Sequence, residues 1–164
     1  MFPGFAVAAA DGLVQQKNMD LLKRTVDKMR ATGLPIGIAA HTMGVIVECE
    51  KAGIDVDFYQ KTLHTRNYPT AQRPEEKGEF GSYDNAWCRS SEEVVECMKT
   101  VKKPWIAFKV MAAGAIQPRE AFQYSFDNGA DFVLAGMLDF QIEEDVGIAR
   151  KVLAKVNRSR PWMA

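Results

Sequence analysis

The stretch WIAFKVMAAGAIQPREAFQYSFDNGADFVLAGM, residues 105–137, decides the reading of this chain. It opens with an apolar run, residues 105–111, whose Trp, Ile, Phe and Val content reads as a buried strand. Gly114 follows the run, Pro118 marks a helix start, Phe122 and Phe126 stand one helical turn apart, and Gly129 stops the helix. A second apolar run, residues 131–137, comes next. Strand, helix and strand in 33 residues make a βαβ unit, and that connection requires parallel strands.

The same alternation extends upstream and downstream. Ser90 and Glu93 fit a capping box for a helix carrying Val94, Met98 and Val101. Residues 56–63 (VDFYQKTL) read as the third strand, 35–40 (PIGIAA) as the second and 5–10 (FAVAAA) as the first. One helix is predicted over about 18–31, with Leu22, Val26 and Met29 on one face and Gly33 as its stop. Another starts near Met43, aligns Val45, Cys49 and Ala52, and is capped by Gly53. The last places Ile142, Val146, Ala149 and Leu153 on one buried stripe.

Five such units in 164 residues predict an α/β fold, a single partial (β/α) barrel over residues 1–164, because a closed eight-stranded barrel takes about 250 residues. A partial parallel sheet has two open edges and an uncovered face, so completion by dimerisation, most simply a homodimer, is expected. The competing architecture is an open doubly wound sheet, but no GxGxxG follows the first strand.

Lys and Arg number 21 and Asp and Glu number 21, so there is no basic footprint and no nucleic-acid partner is expected. The apolar runs fall far short of the roughly 20 residues of a membrane span, and no membrane partner is expected. The apolar start lacks a basic region before it and reads as structure, not as a signal peptide. Cys49, Cys88 and Cys97 form no CxxC pair, which fits a reducing, cytoplasmic location; Cys49 and Cys97 lie in helical apolar patterns and read as core.

The runs FKVMAAGAI (108–116), PREAF (118–122) and NGADFVLAG (128–136) resemble the last two βα units of (β/α)8, or TIM, barrels. They are similar in particular to aldolase-like and phosphate-binding barrel proteins. The resemblance implies that loops after the fourth and fifth strands hold a phosphate through backbone N–H groups, with Gly114 and Gly136 as the matching glycines. The spacing of the other strands resembles the C-terminal part of an aldolase-like barrel over nearly the whole chain. That likeness implies barrel strands four to eight without the first three, either as a truncation or as half of a composite barrel of two copies.

Active sites of such barrels lie at the carboxyl ends of the strands. Asp11 stands there after the first strand, His41 after the second, His64 after the third and Asp139 after the fifth. The chain has two histidines, and both fall at these positions. Cys88 ends YDNAWC (83–88) in the long polar stretch 64–90, which reads as a lid. His41, His64 and Cys88 form a candidate His2Cys set for a divalent metal, most simply zinc, with an activated water in the open position. The plainer alternative has both histidines capping strand ends and Cys88 as a buried loop thiol. Asp11, Asp57, Asp84 and Asp139 are alternative oxygen ligands or general bases.

Lys109 interrupts an apolar strand and alternates with Ala107 and Met111, so it is expected to be either a functional amine on the barrel interior or a salt-bridged lysine. Lys61 poses the same question in a more polar strand. Tyr59, Tyr68, Tyr83 and Trp87 are candidates to line a substrate pocket under the long loop.

Together these readings give a metal-dependent hydrolase of a small ester, phosphoester or amide. His41, His64 and Cys88 are the expected ligands, Asp139 or Asp11 the base, Lys109 the anion stabiliser, and Gly114, Gly136, Tyr59 and Trp87 the substrate contacts. The alternatives are a Schiff-base aldolase or isomerase of a phosphorylated sugar, using Lys109, and a non-catalytic barrel fragment.

Overall fold

Five short strands lie side by side in chain order, every neighbouring pair parallel. They are β1 (Phe5–Val7), β2 (Ile36–Ala40), β3 (Phe58–Thr62), β4 (Trp105–Phe108) and β5 (Phe132–Leu134). The structure is a computed structural model and describes residues 5–71, 75 and 88–157. Within them run six helices: α1 (Ala10–Gln15), α2 (Met19–Arg30), α3 (Met43–Lys51), α4 (Ser91–Thr100), α5 (Pro118–Asp127) and α6 (Ile142–Leu153). None is long and apolar enough to cross a membrane.

Strand order decides between the two candidate architectures. Right-handed crossovers that always step in one direction put every helix on the same side of the sheet, whereas a doubly wound sheet reverses direction once. Here the order never reverses. Burial agrees: the row Val7, Ile38, Tyr59 and Trp105, matched across four strands, joins the helices in one hydrophobic core. The opposite face carries Ala39, Phe58, Gln60, Thr62, Ile106, Phe108 and Leu134, none of which belongs to that core.

Local chemistry explains where the elements start and stop. Asn18 and Ser90 cap α2 and α4 by accepting hydrogen bonds from the Leu21 and Glu93 N–H groups, each at 3.2 Å. Gly33, Gly53 and Gly129 follow their helices with φ of +72°, +60° and +91°, the left-handed turn that glycine adopts without a Cβ clash.

Four expectations need correction. Residues 8–10 leave the first strand and α1 begins at Ala10. β4 stops at Phe108, so Lys109 is not a strand residue; it is exposed, with φ +61°. Cys97 is only partly buried, while Cys49 is in the core. On α6 the buried residues are Asp145 and Val152, whereas Ile142 and Val146 are 50% and 40% exposed. The predicted stripe is thus only half inward, with Ala149 and Leu153 packed against the core and Ile142 and Val146 outside it.

Candidate active site

The turn after β2 is built around Asp11. Its Oδ1 accepts hydrogen bonds from the Thr42 N–H and hydroxyl, both at 2.8 Å, and its Oδ2 accepts the His41 N–H at 2.8 Å. The same Oδ2 lies 3.1 Å from His41 Nδ1. Burial pushes the Asp11 pKa up, but hydrogen bonds from the His41 ring and backbone and from Thr42 outweigh it and hold the value at about 2. An ionised carboxylate only accepts, so Nδ1 of a neutral His41 ring carries the proton and Nε2 the lone pair. Asp11 therefore orients a base, and its own low pKa makes it a poor one.

His41 is held from below as well. Lys61, 0% exposed, donates from Nζ to the His41 carbonyl at 2.6 Å and to the Thr62 hydroxyl at 2.6 Å; the Thr62 hydroxyl also lies 3.2 Å from that carbonyl. The buried lysine is therefore Lys61 and not Lys109, which corrects the sequence expectation. Its row explains the fit, because Ala40 and Ala107 flank it and leave room for a long side chain.

The His41 ring lies 5.3 Å from the ring of Phe108. Phe108 in turn lines a cavity of about 770 Å³ at the carboxyl ends of β4 and β5. Lys109, Gly114, Gly136, Gln117, Gln141 and Asp145 share that cavity. Part of its lining has an unusual backbone: Lys109 and Ala113 have φ of +61° and +55° and Gly114 +89°, and the intervening Ala112, in the core, has +45°. Left-handed conformation at three non-glycine residues costs energy and concentrates where a loop shape serves a ligand.

The other expected residues lie elsewhere or do other work. His64 is 1% exposed, and both ring nitrogens are occupied: Nδ1 donates to the Thr65 carbonyl at 2.9 Å, and Nε2 accepts the Cys88 N–H at 2.9 Å. Burial lowers its pKa. The His64 lone pair is thus engaged by the Cys88 N–H in this structure. Cys88 is 3% exposed and tied through its backbone to His64.

Tyr59 points to the helix-covered core, where its hydroxyl donates to Glu50 at 2.7 Å and burial raises its pKa; it is not a rim residue. Asp139 is exposed and accepts the Phe140 N–H at 2.9 Å. Asp57 precedes β3, at the opposite end of the sheet, and binds Arg30 and the Ile36 N–H, both at 2.7 Å. Trp87, Tyr83, Asp84 and most of the expected lid lie outside the described residues.

Sequence reasoning missed Asp145, because the apolar stripe of α6 points attention to its neighbours. The acidic run Glu143, Glu144 and Asp145 in the first helical turn was the signal present. No protein-family model, curated protein or solved structure matches this chain.

Proposed function

We propose that the protein hydrolyses a small ester, phosphoester or amide, with His41 as general base and the substrate held in the cavity at the ends of β4 and β5. The Asp11–His41 contact carries this reading, since it sets the tautomer that leaves Nε2 basic. Nε2 removes a proton from water, the water oxygen forms the new bond to the carbonyl carbon or phosphorus, and the bond to the leaving group breaks. The protonated imidazole then returns its proton to the leaving oxygen or nitrogen. Lys109, on the cavity wall, stabilises the negative charge that develops.

The mechanism uses His41 and not His64, whose lone pair is engaged by the Cys88 N–H. The Schiff-base alternative needs a desolvated amine that faces the substrate; Lys109 is exposed, and the buried Lys61 Nζ is committed to the His41 carbonyl and the Thr62 hydroxyl.

The test is turnover of a panel of p-nitrophenyl esters and phosphoesters by wild type, His41→Gln and Asp11→Asn. Loss of about 10²- to 10⁴-fold in His41→Gln supports the assignment. Turnover that is absent, or independent of His41, refutes it.

In the same reading, the five-stranded unit is a barrel segment completed by a second copy. Exposed Leu134, Leu138, Phe140, Ile142 and Val146 at the β5 edge support this, because apolar clusters at a sheet edge mark an interface. Light scattering checks it: a monomer at all concentrations, unaffected by Phe140→Asp, excludes the pairing.

A further inference from the structure

Asp145 is 5% exposed, yet it makes no hydrogen bond or ion pair with any other described residue. It lines the cavity at the ends of β4 and β5. A carboxylate on a side chain only 5% exposed, opening toward a cavity and with no protein partner among the described residues, suits a ligand that supplies the opposite charge. The surrounding wall is mostly apolar, with Phe108, Ile116, Leu134 and Leu138 facing the same space. Asp145 also lies in the first turn of α6, where the helix dipole favours negative charge.

We propose that this cavity binds a small molecule bearing a protonated primary amine, with the ammonium on the Asp145 carboxylate and a short hydrocarbon segment against Phe108, Ile116, Leu134 and Leu138. The inference rests on the cavity being the substrate site and narrows the substrate to an amine-bearing ester or amide. Lys109, on the same wall, gives the site a second and opposite charge, so that the two ends of a ligand are told apart.

The probe is n-hexylammonium, with n-hexanol and hexanoate as uncharged and anionic controls of the same chain length. Amide NMR titration of the full chain is expected to show hexylammonium shifting residues 108–117 and 134–146 and binding at least about ten-fold more tightly than either control. Asp145→Asn keeps the size of the side chain and removes the charge. It is expected to abolish that preference while leaving the melting temperature equal to or above that of wild type, as for other binding-site groups that cost the free protein stability. Hexylammonium that fails to bind, binds no better than hexanol, or binds Asp145→Asn as well as wild type overturns the proposal. A large fall in melting temperature for Asp145→Asn overturns it too, since Asp145 then supports the fold. His41→Gln separates the two readings: unchanged hexylammonium binding with no hydrolysis in wild type leaves this site standing and removes only the catalytic assignment.

Discussion

The Nζ of Lys61, a side chain that is 0% exposed, donates a 2.6 Å hydrogen bond to the backbone carbonyl of His41. One residue thus ties the end of β3 to the turn after β2 and fixes the position from which the His41 ring projects. Lys61→Met keeps the hydrocarbon volume but leaves the carbonyl and the Thr62 hydroxyl without this donor. It is expected to cost about 1–3 kcal/mol in urea unfolding. It should also shift the His41 and Thr42 amide resonances more than those of α6. Unchanged stability and unchanged His41 resonances would show that Lys61 does not support the turn.

Asp11 predicts an acid-sensitive fold. Its pKa of about 2 lies below the ordinary carboxylate value, so its contribution is complete above about pH 4 and is lost as pH falls toward 2. The linkage is worth about 2 kcal/mol at neutral pH. Asp11→Asn is therefore less stable than wild type at pH 7, and the gap closes in acid. Parallel stability profiles for the two proteins between pH 5 and 2 would contradict the assignment.

His64 acts in a higher window with the same sign. Burial lowers its pKa in the folded protein, so below about pH 6.5 the unfolded chain takes up a proton that the native state resists. Stability present above that pH is lost as pH falls through 6 and 5. His64→Gln is expected to flatten this part of the profile while lowering its plateau, because the Cys88 N–H loses its acceptor. The urea midpoint measured against pH reads both effects.

Gly37 is required by contact. A Cβ there would meet the Phe58 ring at 2.3 Å, well inside van der Waals distance. Gly37→Ala must displace Phe58, which is 3% exposed, and an overpacking cost of about 1–3 kcal/mol is expected. Phe58→Leu in the Gly37→Ala background should recover part of it in thermal unfolding; a Gly37→Ala protein as stable as wild type would show that the sheet relaxes freely.

Much of the architecture was legible along the chain because it depends on local chemistry. Five apolar runs became five parallel strands, Pro118 begins α5, and glycines 33, 53 and 129 stop their helices through left-handed turns. Such signals act over a few residues, so proximity in sequence is enough to read them. That His41 follows the second strand was also readable; Asp11, expected directly after the first strand, lies instead in the first turn of α1, from which it still reaches the His41 turn.

Which side chain does what was decided by tertiary contacts. Lys109 and Lys61 both interrupt strand-like patterns, but β4 ends one residue before Lys109 and turns left-handed there, while Lys61 lies between two alanines of neighbouring strands. Helix α6 shows the same limit. Its apolar stripe predicts Ile142 and Val146 inward, yet packing rotates Asp145 and Val152 into the protein. The sequence by itself determined a sequentially wound parallel α/β unit and the rim that carries its polar groups. Only the folded chain decided that His64 spends its lone pair on Cys88, that Asp11 orients His41, and that Asp145 faces a cavity. Those outcomes depend on residues 24 or more positions apart meeting within hydrogen-bond distance, or on how a helix is rotated against its neighbours, and neither is written in local periodicity.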